Sequence, residues 1–509
     1  MKSSQLKAGA ILSYVSLFVT NIVGILYTPI MLRLMGPSEY GLYSLVAAIV
    51  GYLTVLDMGL GNTIVRYIAK YRALGDKDGE YNLNGMFLCL YTLIGILAAG
   101  IGIVLCLNVE NLFGNSLSMQ ELEKAKMMMG LLVFNLSITF PLGVFGAIMN
   151  AYERFVFPKI VNIIRVIINP CIMLPLLFIG YRSVTMVLVT TLLNIICLLI
   201  NVGYCFKQLH IRIHFNNFQW SLLKEIGRYS FFIFLNIIVD KIYWSTDQFI
   251  LGMFSGTVIV AIYAVASQLS MYYMNFSTAM SGVFLPRVTQ MVTQNATDKE
   301  LSDMFIKTGR IQYIIMAYIL SGFLLVGKDF IILWAGEGYE TAFFIAIVIM
   351  IPLTVPLIQN LGITILQAKN LHAFRSNVYI IIAILNLCMS IPLAKIWDGF
   401  GCALATGISL SIGNIIIINI YYWKKINLDI PRFWLNICKM TVPVVIAIIL
   451  GVGANYWLDM TGFMKIITTG SLFTLVYIPL MWFLGMNKYE KQLFLGPIKE
   501  VGKKLSIVR

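Results

Sequence analysis

Residues 229–253, YSFFIFLNIIVDKIYWSTDQFILGM, are long and apolar enough to cross a bilayer as one helix, yet Asp240 and Lys241 sit side by side at the centre. Asp240 lies roughly 18 Å of helix from the nearer charged flank. An ionisable group at that depth costs roughly 2.5–3.5 kcal/mol on insertion scales, so its presence points to a water-filled interior or a substrate path.

Outward from that stretch the same pattern repeats along the chain. The 509 residues are 59% hydrophobic and 12% charged, with a mean hydropathy of +0.85. Apolar stretches at 8–32, 41–65, 83–107, 126–149, 160–180, 183–206, 229–253, 257–281, 311–335, 341–367, 377–395, 399–423, 435–457 and 461–485 predict about fourteen transmembrane helices. The fold class is therefore an all-α polytopic membrane protein. Uniform apolar runs, rather than ten-residue alternating segments, exclude an outer-membrane barrel. The first run starts within eight residues of Met1, is too long for a signal core and is expected to be a retained span. The longest connections, 207–228 and 286–310, have no room for a soluble catalytic domain.

Formal net charge is +14, and its placement matters more than its size. Assigning connections to alternate sides puts 27 Lys and Arg on the side of the amino terminus and seven on the other. The positive-inside rule then places both termini in the cytoplasm, which requires an even number of spans. The basic excess is topological and no nucleic-acid partner is expected. All eight cysteines fall in or beside apolar spans, which argues against a disulfide framework. His210, His214 and His372 form no cluster with zinc-ligand spacing, so neither metal nor cofactor is expected.

An offset of 220 places Gly256 on Gly36, Tyr263 on Tyr43, Tyr272 on Tyr52 and Lys241 on Asn21. It suggests two six-helix bundles, 1–206 and 229–423, joined by a basic linker at 207–228 and followed by two further helices and a basic tail at 424–509. Six is even, so the pseudo-repeat is parallel, with substrate expected between the halves and transport by rocking one against the other.

Residues 36–71, GPSEYGLYSLVAAIVGYLTVLDMGLGNTIVRYIAKY, resemble the start of bacterial polysaccharide-precursor flippases of the multidrug/oligosaccharidyl-lipid/polysaccharide (MOP) superfamily. Gly36, Tyr40, Gly41, Tyr43, Asp57, Gly59, Gly61 and Arg66 carry the resemblance, which the fourteen-span layout extends over nearly the whole chain. It implies an inner-membrane flippase that turns a lipid-linked oligosaccharide, usually on undecaprenyl pyrophosphate, from the inner to the outer leaflet by alternating access. It also implies, as partners, membrane lipids and the polymerase and glycosyltransferases of a surface-polysaccharide pathway. The rival within the superfamily is a cation-coupled multidrug exporter. A membrane glycan polymerase or ligase fits less well, because the outer connections near 108–125 and 328–340 are short.

For an anionic pyrophosphate cargo the first candidate is Lys241, whose other reading is neutralisation by Asp240 or Asp247. Arg165, about six residues into its span, is a second phosphate donor or a residue that snorkels to the interface. Asn21, Trp244 and Gln248 complete the expected substrate-binding set. Asp240 and Asp247, seven residues apart, share a helix face and either bind a coupling proton or sodium or balance nearby cations. Asp57 is a gate or ion-pair partner of Arg66 or Lys70, or else a packing residue beside Gly59 and Gly61. Lys439 and Lys465 are expected to anchor at the interface.

Overall fold

The computed structural model describes residues 2–215, 220–369, 371–458 and 462–496. Parts of the basic linker and most of the basic tail expected from the sequence lie outside these residues. The described chain is helical and contains no strand. Twelve segments are long and apolar enough to span a membrane, so this is a multi-pass membrane protein. One of them, Phe374–Lys424, has 51 residues and bends at Trp397 and Asp398, where Asp398 has φ 47° and divides it into two crossings. The helix Trp220–Phe254, with 35 residues, is also long enough to span and carries Asp240, Lys241 and Asp247. These two segments account for the difference between twelve and the fourteen crossings expected.

By compactness the chain divides into one unit of Met1–Ala264 with Ser390–Cys402, and a second of Val265–Met389 with Ala403–Arg509. The first contains α1 (Lys2–Met35), α2 (Pro37–Leu53), α3 (Leu60–Leu74), α4 (Lys77–Leu107), the short α5 (Val109–Phe113), α6 (Met119–Ala151), α7 (Val156–Ile179), α8 (Ser183–Lys207), α9 (Trp220–Phe254) and the start of α10 (Thr257–Thr293). Its core packs α3, α4 and α6 through Ile64, Phe87, Ile148 and Met149, each at most 1% exposed.

Span 2, expected to be continuous, is broken. The residues Thr54–Asp57 form a 3-10 turn, after which Met58 and Gly59 both adopt left-handed backbone, at φ 52° and 69°. Gly59 takes this conformation without a Cβ clash, whereas Met58 is strained there. Tyr91 Oη on α4 fixes the break by donating to Asp57 Oδ1 at 2.7 Å.

α9 packs along α2 rather than apart from it, which is why the compact unit extends beyond the sequence boundary at 206. Gly252 on α9 makes the approach possible, since a Cβ there would run into the Leu45 side chain of α2, and Gly41 on α2 likewise leaves room for the backbone carbonyl of Thr257 at the start of α10. At the same end, Glu121 caps α6 through Ser118 and accepts from Ser38 Oγ at 2.6 Å and Thr257 Oγ1 at 2.8 Å. Glu39 pairs there with Lys124 and accepts from Ser183.

The second unit holds the rest of α10 together with α11 (Asp298–Ala335), α12 (Thr341–Ile358), α13 (Asn360–Ala368), most of α14 (His372–Leu410), α15 (Ile418–Lys424), α16 (Ile430–Leu458) and α17 (Gly462–Leu480). Phe305 packs on Phe433 and Tyr422 in its core. Arg310, buried on α11, meets Glu490 at 2.6 Å and Asn436 at 3.1 Å, tying the segment after the last span back into the bundle. Lys465, expected at the interface, pairs with Asp329 at 2.9 Å.

Gly41→Leu is expected to cost about 1–3 kcal/mol, the usual penalty for overpacking. It should lower the unfolding temperature of the detergent-solubilised protein, whereas Gly130→Leu, where a Cβ meets nothing within 4 Å, should leave it unchanged.

Candidate functional site in the first unit

A cavity of about 480 Å³ opens within the first unit, walled by α2, α6, α7 and α8. Its apolar wall includes Ala47, Val50, Leu132 and Val166, and its polar wall comprises Thr54, Asn135, Thr139, Arg165, Asn169, Thr190 and Asn194. Arg165 is the only ionisable side chain among these lining residues, and none of them is acidic.

Arg165 is held by neutral amides. Its Nη1 donates to Asn194 Oδ1 at 2.7 Å and its Nη2 to Asn162 Oδ1 at 2.9 Å. Asn194 Nδ2 in turn donates to Asn135 Oδ1 and Thr139 Oγ1, both at 2.8 Å, and Asn162 Nδ2 donates to Ser16 Oγ at 3.3 Å. A guanidinium has five N–H donors, so this network orients it and leaves donors over for a ligand. No carboxylate pairs with Arg165 among the described residues, so its charge is not cancelled. The guanidinium is bound to side chains of α7 and α8. Asn169 adds a buried Oδ1 with no hydrogen-bond partner among the described residues.

Lys241 is half-buried on α9 and is not among the residues lining the cavity. Its Nζ lies 3.5 Å from where a Cβ on Gly51 would stand, and Gly51 lines the cavity. Asp240 is exposed, and Asp247, 2% exposed, accepts from Tyr263 Oη and, at 2.9 Å, from Ser390 Oγ. The two acids seven residues apart therefore have different surroundings. Trp244 and Gln248 are half-buried on α9, and Asn21 is half-buried on α1; none of the three lines the cavity.

Of the readings open for Asp57, the structure gives it a hydrogen-bonded place between helices. It accepts from Tyr91, while Arg66 is exposed and lies over the Tyr67 ring at 5.8 Å. The Asp57 carboxylate meets α4 through the Tyr91 hydroxyl.

A family model described as polysaccharide biosynthesis protein matches residues 6–292, more than half of the chain. The chain belongs to the polysaccharide biosynthesis protein family. Over 323 residues this family member is 24% identical to a Shigella flexneri protein provisionally named an O-antigen transporter, covering 60% of this chain and 71% of that one. Its fold is similar to that of the lipid II flippase MurJ in an inward closed conformation, with a TM-score of 0.73 and 16% identity over 96% of this chain and 99% of MurJ. It is similar also to an inward-facing multidrug resistance MATE family transporter of the MOP superfamily, with a TM-score of 0.61 and 14% identity over 78% and 92%. The polysaccharide biosynthesis protein thus has the MOP superfamily fold.

The amide network separates two neighbouring asparagines. Asn194→Ala removes a three-way hub and is expected to cost about 1–3 kcal/mol by leaving buried groups unpaired, while Asn169→Leu, which removes an unpaired oxygen, should be near neutral. Thermal unfolding of the two purified variants checks the contrast.

Proposed function

We propose that this polysaccharide biosynthesis protein is a flippase that carries a lipid-linked oligosaccharide repeat unit, on a pyrophosphate lipid of the undecaprenyl class, from the inner to the outer leaflet of the bacterial cytoplasmic membrane. The observation that carries the reading is a cavity without an acidic lining residue, in which Arg165 presents an uncancelled charge, with Lys241 close to Gly51 of its wall. A planar guanidinium and a compact ammonium suit phosphate oxygens, and the surrounding asparagines and threonines can exchange hydrogen bonds with sugar hydroxyls. The lipid tail can remain in hydrocarbon, and no covalent chemistry is required.

On this reading both termini are cytoplasmic, alternating access moves the cargo, and Asp247 is the acid that couples transport to a cation. The glycosyltransferases that build the repeat unit supply its substrate, and a polymerase consumes the product. A multidrug exporter of the same superfamily would need an electronegative cavity for cationic drugs, and it would place the working site at Asp247 instead.

The test is mass spectrometry of lipid-linked oligosaccharides in the source cell after depletion of the protein, followed by restoration with wild type, Lys241→Ala or Arg165→Ala. Depletion should accumulate one complete lipid-linked repeat unit, and wild type should clear it. Each variant should clear it about tenfold to a hundredfold more slowly, the worth of a hydrogen bond to a charged group. An unchanged lipid-linked pool together with new sensitivity to cationic drugs would establish the exporter in its place.

A further inference from the structure

A second and larger cavity, about 610 Å³, lies elsewhere in the first unit and takes no part in the proposed transport path. It is formed where helices end: Arg72 two residues before the end of α3, the turn Tyr152–Arg154 between α6 and α7, Gln208 just beyond α8, and Gln5 near the start of α1. A cavity bounded by the ends of apolar spans stands at the level where hydrocarbon gives way to lipid headgroups.

Its chemistry is specific. Arg72 is positioned by two contacts: its guanidinium lies 3.7 Å from the Tyr152 ring centroid, and its Nη1 donates to the Ala151 carbonyl at 3.0 Å. Tyr152 is fixed in turn by donating to the buried Glu80. The remaining guanidinium donors of Arg72 have no protein partner among the described residues, and Arg154, exposed on the opposite rim, forms no ion pair among them. Two arginines face one lining carboxylate, Glu153, which leaves the cavity net positive. Within the same cavity Gln5 has a buried side-chain oxygen without a hydrogen-bond partner among the described residues. Such a group costs stability unless a donor meets it.

We propose that this cavity is a binding site for the headgroup of an anionic phospholipid, with Arg72 and Arg154 holding the phosphodiester and Gln5 accepting a hydroxyl of the headgroup alcohol. The requirement for negative charge together with a hydroxyl donor selects a phosphoglycerol headgroup over phosphoethanolamine, whose ammonium would cancel the attraction. A soluble phosphoglycerol offers the same polar atoms without the tails.

The full-length protein in nanodiscs of equal phosphatidylglycerol and phosphatidylethanolamine provides the test, with lipid retained after detergent transfer read by native mass spectrometry. Wild type should retain phosphatidylglycerol selectively, and each of Arg72→Gln and Arg154→Gln should lower that retention about fivefold, the worth of one basic side chain at an anionic lipid surface. Lys77→Gln, an exposed basic residue outside the cavity, should not. Because Arg72 also supports the α6–α7 turn, Arg154→Gln with an unchanged unfolding temperature is the deciding variant. Equal retention of both lipids, or retention unaffected by Arg154→Gln, overturns the site. Displacement of the lipid by millimolar glycerol 3-phosphate would assign the cavity to a soluble phosphoester.

Discussion

An arginine inside an apolar span must have its N–H groups met from within the protein, because hydrocarbon offers none. In the first unit that requirement is met by Asn194 and Asn162, and not by a carboxylate. The difference governs the cavity: an acid would have satisfied the geometry and erased the charge, whereas an amide satisfies the geometry and leaves the charge in place. Asn135, Thr139 and Ser16 then exist to satisfy the asparagines, so one ionisable residue organises polar groups on α1, α6, α7 and α8.

The fold class was legible in the sequence because crossing a bilayer imposes length and hydropathy directly on each helix. Gly36 and Gly256, aligned by the offset of 220, share the same left-handed φ of 81°, each just before the start of a helix. The break in span 2 was less legible. Its residues are apolar enough to continue a helix, and Gly59 and Gly61 read equally well as small residues for close helix packing.

At the site, the charged residues stood out in the sequence and the asparagines did not. Arg165 and Lys241 are conspicuous because charge is rare in apolar spans, and both lie at or beside the cavity wall. The polar wall came from Asn135, Asn169 and Asn194, single amides inside long apolar runs whose meeting depends on the packing of three helices. A mid-span asparagine is a usable signal, but only packing shows which ones face each other. The fate of Asp57 was likewise a matter of packing, since its partner is the Tyr91 hydroxyl on α4, 34 residues along the chain.

That interruption gives span 2 the mechanics of two rods, not one. α2 is about 26 Å long and α3 about 22 Å; both rest on α6, while α2 leans further on α9 and α3 on α4. Gly51 and Thr54, which line the cavity, lie on the α2 side of the joint, while Arg72 lies on the other. A bulky guest wedged against α2 would meet the joint at Met58 and Gly59 before its push reached the basic end of the span.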